Sequence, residues 1–315
     1  MPDYNELIET IDKAINGFND SLPKIQKEIL ADVLDQIKKF DTRDKRITNT
    51  VKNIRLLNTI KNRLKKIILT DNYKAEVKEF LKVFTDVSTF QNSYFKEAEK
   101  TFKPPTIVKE IKSQTIEDTI NRLTEAGIGV NVSDKIAELL KQNVTTGVKY
   151  SDLANQLREY ILTTETPGVL ERYVKQITTD AVNQYSRQYM NTISGDLGYE
   201  WYRYQGKDIL TTRPFCDAMT DRKFFHVSEV PSLLKAEDLY YSDNKTGETK
   251  KVPIYEKTGL PHGMIPDTNA ENFFIRAGGF SCGHSIFAVI ERLVPKDIQD
   301  RVKATAAYKR FHNSK

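Results

Sequence analysis

The sequence predicts a mainly α protein with a C-terminal α+β domain: long N-terminal antiparallel helices, a helical middle region, and a small loop-rich domain near the end. Three observations predict it. Apolar residues recur at steps of three and four as far as Ser194, the period of an amphipathic helix. From Tyr199 onward the glycines, prolines and short β-prone runs concentrate. Pro104-Pro105 separates two helical blocks, because proline stops a helix and restrains the residue before it. The expected organisation is therefore a long-helix region over 1–102, a linker over 103–106, a helical middle over 107–198, an α+β domain over 199–294 and a tail helix over 295–315.

Each element has its own signal. Leu7, Ile11, Ile15 and Phe18 open an apolar seam that Leu22, Ile25, Ile29, Val33 and Ile37 continue. Ser21 as N-cap and Pro23 in the first turn place a break between the two. Asp41 or Thr42 is the expected cap of the next helix, with Ile47, Val51, Ile54, Leu57, Ile60, Leu64 and Ile67 as its stripe. Asp71 restarts the pattern through Val77, Phe80, Leu81, Phe84, Val87 and Phe90. Stripes of this length and period suit long helices packed as in a coiled coil. After the linker, a helix from Glu110 to Glu125 is expected to end at Ala126-Gly127-Ile128-Gly129. Ser133 and Ser151 are read as caps of helices reaching Val144 and Leu162, and Val169 to Ser194 as a longer one. Tyr199 to Tyr204 reads as a strand, Tyr240 to Glu248 as a hairpin tip or mobile loop, and Gly278-Gly279 as a tight turn before a strand from Ser281 to Val289. Trp201, Tyr202, Phe215, Phe280 and Phe287 are the expected aromatic core of the C-terminal domain.

The 315 residues carry 48 Lys+Arg against 43 Asp+Glu, a net charge of +5, which permits contact with nucleic acid without demanding it. No apolar run is long enough to cross a membrane as a helix, so no membrane insertion is expected. Met1-Pro2-Asp3-Tyr4 has neither the basic nor the apolar region of a secretory signal. A reducing compartment is the expectation, in which cysteines are free thiols or metal ligands.

The only two cysteines lie in Thr211-Thr212-Arg213-Pro214-Phe215-Cys216 and Gly278-Gly279-Phe280-Ser281-Cys282-Gly283-His284. Zinc takes four soft or borderline ligands in a tetrahedron, so Cys216, Cys282, His284 and His226 form a candidate structural metal set, with His262 as a further candidate or a loop aromatic. In an extended segment Cys282 and His284 share a face. The alternatives are two buried thiols beside ordinary histidines, or a Cys/His enzyme in which His284 or His226 activates Cys216 and Asp217 or Asp221 orients the imidazole. Asp208, Arg213, Asp217 and Arg222 surround the first cysteine, where an Arg–Asp bridge holding two loops is expected. Gly278-Gly279 lacks the Lys-Ser/Thr of a phosphate-binding loop. Farther upstream, Arg43, Lys45, Arg46, Lys52, Arg55, Lys61, Arg63, Lys65 and Lys66 form the densest basic run, read as one long basic helix. It is either a solvated face or a contact for phosphates or an acidic partner.

The helix before Ser194, Tyr199-Glu200-Trp201-Tyr202, Asp208, Thr212-Arg213-Pro214-Phe215-Cys216 and Gly278-Gly279-Phe280-Ser281-Cys282-Gly283-His284 together resemble the C-terminal domain of Mu-F-like phage minor head proteins, also called head morphogenesis proteins. The resemblance covers residues 175 to 294, and Gly283 stands where the family usually has Arg. The residues themselves offer no convincing catalytic set, so no enzyme is expected. The resemblance implies a virion component of a tailed phage, with no enzymatic activity assigned to the shared domain, made in the host cytoplasm and packaged in few copies inside the head near the portal. There it would assist head morphogenesis or genome delivery. The implied partners are the portal protein, packaged double-stranded DNA and other head proteins. Some relatives are fused to toxin domains, so a toxin-like effector is the alternative within the resemblance, and a nucleic-acid-binding module acting through the basic run is the alternative outside it.

Overall fold

The structure is a computed structural model that describes residues 4–162, 164–206, 209, 212–243, 246–276 and 278–314. It is mainly helical, with small antiparallel sheets in its C-terminal part, as the sequence predicts. The chain runs through α1 (Tyr4–Asn19), α2 (Leu22–Ile37), a hairpin of β1 (Thr42–Arg43) and β2 (Arg46–Ile47), α3 (Val51–Ile68), α4 (Asp71–Phe80) and α5 (Val83–Ala98). Past the double proline come α6 (Ile107–Leu123), α7 (Glu125–Ile128), a π-helical turn (Gly129–Ser133), α8 (Asp134–Thr146), α9 (Tyr150–Ile161) and α10 (Val169–Asp196). Next are β3 (Trp201–Gln205), α11 (Pro214–Arg222), β4 (Phe224–His226), α12 (Val230–Leu233) and the hairpin β5 (Tyr240–Ser242) and β6 (Thr249–Lys251). The last elements are α13 (Phe273–Arg276), β7 (Ser285–Val289), α14 (Lys296–Ala304) and α15 (Ala306–Asn313). The tail is therefore two helices rather than one. Thr305 between them is extended, and its hydroxyl accepts from the Tyr308 amide to cap the second. Among the described residues no helix is long and apolar enough to cross a membrane.

The chain forms two compact units, one of residues 12–83 and 114–178, the other of residues 1–11, 84–113 and 179–315. The first is all helical apart from its small hairpin. Within it α3 packs on α2 and α8, and α2 on α9, burying Ile29, Val33, Leu57, Ile60, Leu64, Leu140 and Leu157. The Phe18 ring lies 5.4 Å from Phe80 and 5.8 Å from Tyr73, whose hydroxyl donates to the Leu123 carbonyl at 2.9 Å.

Ser151, expected as a cap, lies inside α9, whose N-cap is Lys149, and two further sequence expectations fail in this unit for identifiable reasons. The basic run is not one helix. Thr50, not Asp41 or Thr42, caps α3 by accepting from the Asn53 amide. The residues before it pair as a hairpin, Thr42 opposite Ile47 and Arg43 opposite Arg46. Asp44 and Lys45 form its two-residue turn with φ of 51° and 62°, the left-handed geometry that tight hairpins require. Asn53 then fastens the hairpin to the helix. Its side-chain oxygen accepts from the Asp41 amide at 2.7 Å, and its amide donates to the carbonyls of Thr48 (2.7 Å) and Asp41 (3.0 Å). The buried stripe of α3 is consequently Asn53, Leu57, Ile60, Leu64 and Ile68, while Val51 and Ile54 are exposed. Ala126-Gly127 also does not end a helix. It lies inside α7, where a Cβ on residue 127 would sit 2.2 Å from the Tyr173 hydroxyl that donates to the Arg122 carbonyl. Glycine is there to admit that ring.

The second unit contains a three-stranded antiparallel sheet in the order β4-β3-β7, with Tyr202 opposite Phe225 on one side and Ala288 on the other. Helices anchor it through polar as well as apolar contacts. The Tyr4 ring stacks on Phe287 with centroids 3.6 Å apart, and the Tyr94 hydroxyl donates to the Ala288 carbonyl at 2.8 Å. The Gln91 amide donates to the Ser186 carbonyl (2.9 Å) and hydroxyl (2.8 Å), joining α5 to α10. Of the expected aromatic core, Trp201, Tyr202, Phe215 and Phe287 are buried. Phe280 is not: it is 49% exposed, and the turn around it offers its carbonyl to Arg213.

Replacing Asn53 by Ala removes three hydrogen bonds and takes from the Asp41 amide its side-chain acceptor. Urea unfolding should show a loss of about 2 kcal/mol, whereas Val51→Ser, at an exposed position, should stay within about 0.5 kcal/mol of wild type.

Candidate functional site

The two cysteine segments meet. Pro214 starts α11 at a position where its missing amide hydrogen costs nothing, and Arg213 before it is extended. The first turn of α11 then carries Phe215 and Cys216 inward, both buried. The second segment arrives through three left-handed residues, Gly278 (φ 91°), Gly279 (78°) and Ser281 (54°), with Phe280 between the last two. The Ser281 amide donates to the carboxylate of Asp180 on α10, which fixes that turn. Cys282 and His284 follow, just ahead of β7.

The contacts between the segments are specific. Arg213 forks across both, donating from Nη1 to the Gly278 carbonyl at 2.9 Å and from Nη2 to the Phe280 carbonyl. Arg213 thus bridges the two segments through backbone carbonyls, and the part of the expected Arg–Asp bridge that involves Asp208 falls outside the described residues. Asp217 instead accepts from the Ser242 amide at 2.9 Å, tying α11 to β5, and Arg222 pairs with Glu229. Beneath Arg213 the Cys216 and Cys282 sulfurs lie 3.7 Å apart, and Cys282 Sγ lies 3.6 Å from His284 Nδ1. The donor atoms of Cys216, Cys282 and His284 all fall within 4.8 Å of one another, and the three residues are only 2%, 3% and 6% exposed. Both cysteines are free thiols. Tyr204, from β3, completes the group. Its hydroxyl donates to Cys216 Sγ at 3.4 Å and lies 3.9 Å from Cys282 Sγ, and its ring stacks on His284.

Charge is distributed unevenly over this cluster. The hydrogen bond between the sulfurs pushes the Cys216 thiol up, and burial pushes it further. The same bond draws Cys282 well down against its burial, with help from His284 and Arg187. Burial holds Tyr204 well above its ordinary value, so it remains a hydrogen-bond donor.

The remaining sequence candidates lie elsewhere. His226 does not join the cysteines. It sits on β4 with Glu200 and His312, whose donor atoms form a second group. Its Nδ1 accepts from the Ser228 amide at 3.1 Å, so Nε2 carries the proton and donates to Glu200 at 3.2 Å. Its local role is to cap the turn Val227–Glu229, in which Glu229 reciprocates by accepting from the His226 amide. His262 stacks on Tyr255 at 4.0 Å. Asp208 lies outside the described residues. Sequence reasoning missed Tyr204, Asp180, Glu200 and His312, because an aromatic strand, a helix interior and a tail carry no signal linking them to the cysteines or to His226.

The basic run divides between hairpin and helix. Arg46 donates to the Gly147 carbonyl at 3.1 Å, Lys52 pairs with Asp41, Lys61 with Asp134, and Arg63 with Asp32. Among the described residues no ion pair involves Arg43, Lys45, Arg55, Lys65 or Lys66. Compared with family models, with curated proteins and with solved structures, the chain matches none.

The geometry makes two glycines diagnostic. A Cβ at Gly278 would lie 2.3 Å from Cys282 Sγ at a φ that L-residues avoid, whereas a Cβ at Gly283 meets nothing within 4 Å. Gly278→Ala should destabilise the protein by about 3 kcal/mol or more in denaturant unfolding, while Gly283→Ala should change it by less than about 1 kcal/mol.

His226 makes stability pH-dependent. Burial lowers its pKa, opposed by Glu200 and Glu229 and assisted by His312, with Tyr308 and Phe311 packed against the ring. The unfolded chain therefore binds its proton first, at a pH near the ordinary histidine value of about 6.5. The stability His226 contributes is complete above that pH and falls as acid is added. His226→Gln should flatten the pH dependence of the unfolding midpoint below about pH 6.5.

Proposed function

We propose that this chain is a minor head protein of a tailed phage. In this reading it resides inside the head near the portal, assists head morphogenesis or genome delivery, and works by binding rather than by turnover. The supporting observation is that the two segments carrying the resemblance to Mu-F-like head proteins form one buried clasp. Arg213 bridges them above, and the two sulfurs meet below. A clasp of this kind holds loops together. A nucleophile must instead be reachable by substrate, and Cys216 is buried with its sulfur held by Cys282 and Tyr204. This weighs against the Cys/His enzyme and toxin-like alternatives.

The contact with partners is assigned to the basic surface. Arg43 and Lys45 on the hairpin and Arg55, Lys65 and Lys66 on α3 carry charge that no described ion pair offsets, so they are the residues for an acidic portal surface or for packaged double-stranded DNA. Arg46, Lys52, Lys61 and Arg63 serve the unit's own structure.

Heads assembled by co-expression with and without the portal protein test the assignment. The chain should enter particles in few copies and only when portal is present; equal incorporation without portal contradicts the reading. Changing Arg43, Lys45, Arg55, Lys65 and Lys66 together to Gln should leave the fold intact and reduce incorporation. If DNA is the partner, the slope of log affinity against log salt should become shallower by about 0.9 for each phosphate contact removed. Wild-type incorporation and an unchanged slope would show that these residues make no such contact.

A further inference from the structure

The described residues hold two groups of metal-type donors, and their chemistry separates them. In the Glu200, His226 and His312 group, the Ser228 amide can only donate, so His226 must present its lone pair at Nδ1 and its proton at Nε2. The nitrogen facing Glu200 is therefore a donor, and the group is held by hydrogen bonds. In the cysteine cluster the donor atoms face one another instead, the sulfurs at 3.7 Å and Cys282 Sγ at 3.6 Å from His284 Nδ1.

We propose that Cys216 Sγ, Cys282 Sγ and His284 Nδ1 bind a thiophilic divalent metal ion of the zinc type, which locks the two loop segments together. Two of the three donor pairs already have the right spacing, and the third, Cys216 Sγ to the His284 ring nitrogen, lies within 4.8 Å. A tetrahedral zinc with Zn–S about 2.3 Å and Zn–N about 2.0–2.1 Å places its ligand atoms about 3.8 Å apart for two sulfurs and about 3.6 Å apart for sulfur and nitrogen. The corresponding separations here are 3.7 Å and 3.6 Å. The same arithmetic gives about 3.5 Å between a ligand oxygen and sulfur. Tyr204 Oη, at 3.4 Å and 3.9 Å from the sulfurs, is placed to take the fourth position if it gives up its proton as the metal binds.

Three further features fit. Two thiolates with one imidazole suit zinc by softness, and oxygen-seeking cations such as magnesium or calcium are poorly served. Gly278 leaves open the space at Cys282 Sγ that a Cβ would fill. Buried cysteine and histidine from distant segments, brought together by turns, are the arrangement of structural zinc sites, in which ion binding contributes directly to folding.

The test uses the full-length chain expressed in zinc-supplemented medium. Elemental analysis after gel filtration should find one zinc per chain. Exchange for cobalt(II) should produce the near-ultraviolet sulfur-to-cobalt charge-transfer band and the intense visible bands of tetrahedral coordination. Cys282→Ser should abolish zinc retention and the charge-transfer band. Chelation of the wild-type protein should lower its melting temperature, a readout that does not depend on the variant folding. A folded wild-type protein that retains no zinc and gives no charge-transfer band overturns the proposal. So does cobalt binding without that band, which would put the metal elsewhere. Neither result bears on whether incorporation into heads requires portal, so this inference and the proposed function fail separately.

Discussion

Packing two sulfur atoms and an imidazole against one another, away from water, constrains everything around residues 212 to 289. The sulfurs come from positions 66 apart in sequence and approach to 3.7 Å. That approach requires a residue without a side chain at 278, a left-handed turn through Ser281, and a carboxylate from α10 to hold the turn. It also requires an arginine to bridge the Gly278 and Phe280 carbonyls that the turn presents. None of these devices is interchangeable. Lysine at 213 would supply charge without the fork that reaches two carbonyls at once. Alanine at 278 would collide with the sulfur.

The clasp also fixes the sheet. Cys282 and His284 lead directly into β7, and Tyr204 on β3 caps the sulfurs while its strand pairs with β7. Side chains from three elements thus converge on one point, and the register of the central strand is set partly by that point. Two sulfurs beside an imidazole give the cluster a chemical preference as well as a shape, because thiolate and imidazole are the ligands that suit a soft cation.

The helical architecture was legible in the sequence because its period is a local property. Seams such as Leu57, Ile60 and Leu64 can be read without knowing their partners. Meeting of the two cysteine segments was legible too, from scarce residue types set among turn formers. What sequence reading lost depended on tertiary context. Asn53 looks like an interruption in an apolar stripe, yet it is buried at the heart of the hairpin, where its three hydrogen bonds outweigh its polarity. The Asp44-Lys45 turn carries no glycine, so the basic run passes for one helix. Phe280 reads as core by composition, but the backbone demands of its turn prevail. Tyr204, Asp180, Glu200 and His312 became visible only when distant segments were placed side by side.

Native-state modification of the two thiols tests the clasp most directly. If Cys216 and Cys282 are sealed against one another, both should react with a thiol reagent only as fast as the surrounding domain unfolds, and at the same rate across denaturant concentrations. A native protein in which either cysteine reacts rapidly while the other stays protected would contradict the account, because the two sulfurs would then not share one buried site.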